Sequence, residues 1–410
     1  MADSVCDIAI VGGGIVGLAT TRALILRFPG LRLVVFEKEP EPGRHQSGHN
    51  SGVLHSGIYY RPGSYKARLC VEGARLMREF CAEHHIRVVE TGKVIVATDE
   101  REQPRLEELY RRGVANGVPD IELVGPQRLR EIEPHASGLR AIHSPRTASL
   151  DFTEVVSAMA EEGRRRGVAI WTGARVNRVA RRSDGLIVRA ATREVCARYL
   201  INCAGLYADV VARLAGARPD VRIVPFRGEY YLIRPPRRHL VRGLIYPVPD
   251  PEFPFLGVHF TRTVHGDVEA GPNAVLAFAR EGYSWGRIAL GELASTLAFP
   301  GFWRMARRYW RTGLYEVWRS LSKAEFVRAL RRLVPDLQPD DIVRGGAGVR
   351  AQAVSAEGSL EDDFRIVQSE RAIHVLNAPS PAATASLAIG RHIADLAAAT
   401  FGLGPPSRTA

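Results

Sequence analysis

Cysteine, lysine and long apolar runs are all scarce in this chain. Five cysteines, Cys6, Cys70, Cys81, Cys196 and Cys203, make an odd number with no CxxC pair. That argues against a disulfide framework and against a zinc site, and it suits a reducing compartment. No stretch approaches the roughly 20 apolar residues of a spanning helix. The start also lacks the basic and apolar regions of a signal peptide, because Asp7 to Val11 already reads as a strand running into glycines. Of the 56 Lys and Arg residues only Lys38, Lys66, Lys93 and Lys323 are Lys, leaving 52 Arg. The net charge of +12 suits nucleic acid, a membrane surface or an acidic substrate, so the placement of charge has to decide. With 46% apolar and 24% charged residues, the 410-residue chain has a globular balance and room for two or three domains.

Glycine is placed with purpose near the start. Gly12-Gly-Gly14-Ile-Val-Gly17 follows an apolar strand and opens a helical pattern, with Glu37 twenty residues beyond at the end of a second strand. This is a βαβ dinucleotide fingerprint: Gly12 for the tight turn, Gly14 for backbone approach to a pyrophosphate, Gly17 for close packing, Glu37 for a ribose. The fingerprint alone suits NAD or FAD. A second small-residue loop, Arg44 to Gly52, includes Ser47, Asn50, Ser51 and Gly52 and favours the larger FAD. His45, His49 and His55 in this region lack metal-ligand spacing, so no metal is expected.

Further on, periodicity predicts a helix over 66–84, a strand at 93–97 and helices near 104–116 and 153–166. Strands follow at 168–172, 176–181, 186–190 and 199–204. Residues 221–278 alternate as an antiparallel sheet does, 287–333 read as helical, and a strand at 373–377 precedes a last helix over 383–399.

Several blocks carry a family resemblance: His45-Gln-Ser-Gly-His-Asn-Ser-Gly-Val-Leu-His-Ser-Gly-Ile-Tyr-Tyr60, Pro225-Phe-Arg-Gly-Glu-Tyr-Tyr231, Tyr246-Pro-Val-Pro-Asp250, Pro254-Phe-Leu-Gly-Val-His-Phe-Thr261, Gly271-Pro-Asn-Ala274, Gly348-Val-Arg-Ala-Gln352 and Asn377-Ala-Pro-Ser-Pro-Ala-Ala-Thr384. Together they resemble the L-2-hydroxyglutarate dehydrogenase (oxidase) family of D-amino acid oxidase-like flavoproteins, over nearly all of residues 5–400.

The resemblance implies an α/β and α+β protein. A Rossmann-like FAD-binding domain is expected from discontinuous segments 1–85, 150–215 and 340–400. An antiparallel-sheet substrate domain is expected from 86–149 and 216–339, and 401–410 is expected to be a disordered tail. Ala204 and Gly205 would end a strand at the cofactor. Pro379, Ser380, Ala382, Ala383 and Thr384 would bring backbone amides and a helix N-terminus near the flavin ring.

Oxidising L-2-hydroxyglutarate to 2-oxoglutarate moves a hydride to flavin N5 and a hydroxyl proton to a base, for which histidine is suited. His55 in the cofactor-facing loop is the favoured base. His259 is the second candidate, alternating with Val258 and Phe260 on a strand; the alternative for it is a solvated strand face. For the dicarboxylate, Arg227 and Arg350 are the expected forks, with Tyr231, His259 and Tyr60 as further contacts; the alternative for each Arg is pairing with a nearby carboxylate such as Glu229. Electrons would pass to a quinone or to oxygen. The rival readings are a sister flavoenzyme acting on another 2-hydroxy acid, an amino acid or glycerol 3-phosphate, and a flavin-containing membrane-binding protein without turnover.

Residues 299–319 set Phe302, Trp303, Met305, Trp310 and Leu314 among Arg304, Arg307, Arg308 and Arg311. This basic aromatic helix suits an anionic membrane surface holding a quinone, or alternatively packing on the substrate lobe. The expected location is cytoplasmic, peripheral on the inner face of the cell membrane. Nucleic acid is not expected, for no recognition motif accompanies the charge.

Overall fold

The computed structural model describes residues 4–191, 193–250 and 256–404. Residues 254–255 of one resemblance block and 405–410 of the expected tail lie outside the described residues. The chain divides into two compact units, one of residues 1–48, 152–224 and 351–410, the other of 49–151 and 225–350.

In the first unit the strand Ser4–Val11 pairs in parallel with Leu33–Phe36 and with Arg193–Asn202. Ala169–Trp171 extends the sheet on one side and Ala372–Asn377 on the other, both also parallel. Leu33–Phe36 is buried at all four positions, as a parallel strand covered on both faces should be. Val176–Arg181 and Leu186–Ala190 add an antiparallel hairpin to the early part of Arg193–Asn202. Two helices, Ile15–Arg27 and Ala382–Phe401, each leave the carboxyl end of a parallel strand and pack together. Their closeness depends on Gly390, where a Cβ would lie 2.4 Å from the Ala19 carbonyl oxygen.

The second unit is built on a nine-stranded, mostly antiparallel sheet. Residue-by-residue alternation gives it two unlike faces. Val94, Val96, Tyr231, Ile245, Phe260, Val268 and Ala270 point to one side and form a core with Phe326, Val327 and Leu330 of the helix Lys323–Arg331. Their chain neighbours Lys93, Tyr230, Tyr246, His259 and Glu269 therefore point to the other.

The expected mixed architecture is present, with different boundaries. Residues 49–85, expected with the glycine-rich start, belong to the second unit, because Val53 and Ile58 are buried in its core with Ile95, Leu106, Ile142 and Leu244. Residues 216–224 go with the first unit and 340–350 with the second. The 287–333 region consists of Leu290–Leu297, Pro300–Leu321 and Lys323–Arg331. Among the described residues, no helix is long and apolar enough to cross a membrane.

Candidate active site

The glycine turn of the first unit admits no side chain at Gly12 or Gly17. Gly12 has φ +110°, and a Cβ there would stand 2.3 Å from the Cys203 carbonyl oxygen; one on Gly17 would stand 2.0 Å from that of Gly12. At Gly14 the nearest atom to a Cβ is the Ser47 hydroxyl at 3.3 Å, and that hydroxyl accepts from the Ile15 amide at 2.9 Å. The helix that begins here has no acidic residue in its first turn and no side-chain cap at Gly14. The helix Ala382–Phe401 starts the same way, after the Pro379–Pro381 turn, with Ala382 and Ala383 half-buried and Thr384 buried; Ser380 is exposed.

Glu37 is buried at the end of its strand. One of its oxygens accepts from the Gly13 amide at 2.8 Å and the other from Glu39 at 2.9 Å. Burial raises its pKa, against the pull of these amides. Gly205 takes φ +51°, a Cβ there would lie 3.0 Å from Gln46 Oε1, and the Ala204 amide donates to Asn202 at 3.1 Å.

Asn50, Ser51 and Gly52 belong to the second unit. Asn50 accepts from the Gly52 amide at 2.9 Å, and Gly52 turns at φ +66° with its carbonyl held by Leu150 N at 2.8 Å. Their visible role is a turn against Ala148–Leu150.

Histidines and cations gather in the second unit. His259 is 6% exposed, so its strand face is buried and not solvated. Its Nδ1 donates to the Gly257 carbonyl at 2.8 Å, which makes Nε2 the unprotonated nitrogen of the neutral ring, and it lies 3.9 Å from the Tyr246 ring. Burial, then the charges of Arg350 and Lys93, push the His259 pKa down to about 3. His55 is pushed down to about 3 as well, by burial first and then by Lys93 and His259. Both rings are thus neutral at pH 7. Burial lowers the pKa of Arg350, whose charge is felt by the buried Tyr230 hydroxyl.

Arg227 and Tyr231 do not join this group. Period-two alternation puts Arg227, Glu229 and Tyr231 on the side of the sheet opposite Tyr230. The Tyr231 ring packs 4.7 Å from Phe326 in the core. Arg227, fully buried, pairs with Glu229 at 3.0 Å and stacks 4.5 Å from the Trp285 ring. Glu229 is also held by Asn273 and Ser320. Tyr60 lies 5.7 Å from Lys66 and its carbonyl accepts from Asn116. Sequence reasoning missed Tyr230, Tyr246 and Lys93. For Lys93 a signal existed: a lysine opening an apolar strand in a chain whose cations are almost all arginine.

A family profile described as FAD dependent oxidoreductase matches residues 7–396. The L-2-hydroxyglutarate dehydrogenase of Indibacter alkaliphilus is 48% identical over 96% of this chain and 99% of its own. The chain belongs to the L-2-hydroxyglutarate dehydrogenase family. The mitochondrial human member is 44% identical, covering 95% of this chain and 88% of its own length. Among solved structures, an FAD-bound L-alpha-glycerophosphate oxidase from Mycoplasma pneumoniae superposes with a TM-score of 0.78 at 22% identity, covering 98% of this chain and 96% of the other. Glycine oxidase from Geobacillus kaustophilus gives 0.70 at 19%, covering 96% and 94%. These two show the fold.

As a family member the chain is an FAD-dependent oxidoreductase, and the first unit fits that cofactor. Gly12 and Gly17 leave no space for a Cβ, two helix N-termini lack acidic first turns, and the Glu37 carboxylate keeps lone pairs beyond its two amide bonds for a ribose.

Proposed function

We propose that this enzyme oxidises L-2-hydroxyglutarate to 2-oxoglutarate, with FAD held by the first unit and the substrate by the second. The observation that carries this reading is His55 and His259 close enough to act on one another, with Arg350 close enough to act on His259 and Lys93 on both. The substrate named by the 48% identical relative, a 2-hydroxy dicarboxylate, needs this set: a fork for a carboxylate and a base for the hydroxyl.

When bound, FAD supplies the acceptor for the hydride from the hydroxyl carbon. The protein's part is to bind, aim and deprotonate. Arg350 grips a carboxylate, and Tyr230 beside it donates through a hydroxyl that burial keeps protonated. The base comes from the His55 and His259 pair, and the Gly257 carbonyl sets the His259 tautomer so that Nε2 accepts. A conjugate-acid pKa of about 3 suits a weak base only. An anionic substrate offsets part of this: burial is the larger cause and stays, but the substrate's carboxylates counter the cations that add to it, so basicity rises once the substrate is in place.

The experiment is the visible spectrum of the purified protein, recorded anaerobically before and after L-2-hydroxyglutarate, with the D-enantiomer as control. Bleaching by the L-form alone is the expected result. A flavin spectrum untouched by the L-form removes the substrate assignment and leaves the family.

A membrane-surface role is favoured by the helix Pro300–Leu321. Its inner side buries Phe302, Met305, Glu316 and Arg319, while Trp303, Trp310, Leu314, Trp318 and Leu321 remain 55–62% exposed beside exposed Arg304, Arg307, Arg308 and Arg311. So large an exposed aromatic face with a basic rim suits the headgroup layer of an anionic membrane. A quinone in that membrane is the proposed electron acceptor, and oxygen the alternative.

A further inference from the structure

Lys93 opens the strand Lys93–Ala97, and only 2% of it is exposed. Its ammonium stands over two aromatic rings, 4.7 Å from the Tyr59 centroid and 5.4 Å from that of Tyr246. The titratable group that acts on it is the Cys70 thiol, itself kept neutral by burial; no carboxylate does so among the described residues. In turn its charge acts on His55 and His259. A buried cation without a carboxylate is expensive, and ring faces recover only part of the loss. An anion that arrives from solution recovers the rest.

The order of strands says where such an anion would lie. Ile342–Ser355, which carries Arg350, pairs with Val221–Ile233, which carries Tyr230. Then come Val268–Gly271, His259–Arg262, Leu244–Pro247 with Tyr246, and Lys93–Ala97. The strand of His259 therefore runs between that of Arg350 and that of Lys93. A dicarboxylate with its hydroxyl at the histidines extends one carboxylate to each side.

Resting on the reaction proposed above, we propose that Lys93 receives the substrate's second carboxylate, the one Arg350 does not hold, and so sets the preference for dicarboxylates over monocarboxylates. The ammonium is a point charge on a flexible stem, while the arginine fork fixes orientation at the other end.

The test compares wild type, Lys93→Met and Lys93→Arg on L-2-hydroxyglutarate and on the monocarboxylate L-2-hydroxybutyrate, with flavin content read from the spectrum. A charge-assisted contact of the usual strength predicts that Lys93→Met raises KM for L-2-hydroxyglutarate by roughly 10- to 100-fold. KM for L-2-hydroxybutyrate stays unchanged, and Lys93→Arg recovers part of the loss. Equal effects on both substrates, or none on either, overturn the assignment. Should Lys93→Met not fold, wild type decides: the advantage of glutarate over butyrate as a competitive inhibitor shrinks between pH 7 and pH 9.5, and a constant advantage overturns the assignment. A wild type inert to L-2-hydroxyglutarate overturns the proposed reaction and this role with it. Wild-type turnover with the dicarboxylate preference intact in Lys93→Met overturns the role of Lys93 alone.

Discussion

Lys93 Nζ sits 4.7 Å from the centroid of the Tyr59 ring, a buried cation resting on an aromatic face. Burial lowers its pKa from the ordinary 10.5 to about 8, a cost to the folded state of roughly 3 kcal/mol at pH 7. The unfolded chain keeps the proton between pH 8 and 10.5 while the folded one releases it, so this cost is present below about 8 and disappears as pH rises to 10.5. Lys93→Met, which keeps the length and drops the charge, is therefore expected to raise Tm at pH 7 and to lose that gain at pH 10.5. Differential scanning calorimetry at the two pH values checks it; a lower Tm at pH 7 contradicts the cost.

Activity should have the opposite dependence. Lys93 binds a carboxylate only while charged, so kcat/KM for L-2-hydroxyglutarate is expected to fall as pH rises through about 8. Lys93→Arg should move that fall to higher pH, because guanidinium keeps its proton. A pH profile of both enzymes is the measurement, and coincident basic limbs count against it.

His55→Ala and His259→Ala are each expected to leave the flavin spectrum intact. Removing the base should lower turnover by at least ~100-fold, the low end of general-base contributions. Single-turnover reduction of the flavin reads this step directly. Full rates in both variants eliminate a histidine base.

Arg227→Ala is expected to act on stability rather than on substrate. Its guanidinium is fully buried and paired with Glu229 at 3.0 Å. Breaking such a pair costs about 3–5 kcal/mol, because the partner carboxylate loses its counter-charge. Chemical denaturation should show that loss while KM for L-2-hydroxyglutarate stays put. A raised KM with unchanged stability returns Arg227 to the substrate site.

Replacing Trp303, Trp310 and Trp318 together by Ser should abolish co-sedimentation with anionic vesicles and leave Tm unchanged, since each ring is more than half exposed. Binding of wild type to neutral and anionic vesicles alike, insensitive to salt, goes against the basic rim as the contact.

What could be read directly from the residues was whatever depends on near neighbours in the chain. Gly12, Gly14, Gly17 and Glu37 sit in one βαβ unit, where strand, turn and helix follow from local periodicity and from the conformations only glycine adopts. The alternation that marked 221–278 as sheet was equally local. It could not say which face would be buried against Lys323–Arg331, since that depends on packing between residues a hundred positions apart. This is why Tyr231 was expected at the substrate and Tyr230, one residue earlier, is the one beside Arg350. Lys93 shows the same limit. In the sequence it stands out only as one of four lysines among 56 cations, which does not say what it faces. Only long-range strand pairing takes it out of water, sets it on Tyr59 and Tyr246, and brings its charge to bear on His55 and His259, because burial and electrostatic fields belong to the assembled sheet and to no single segment of chain.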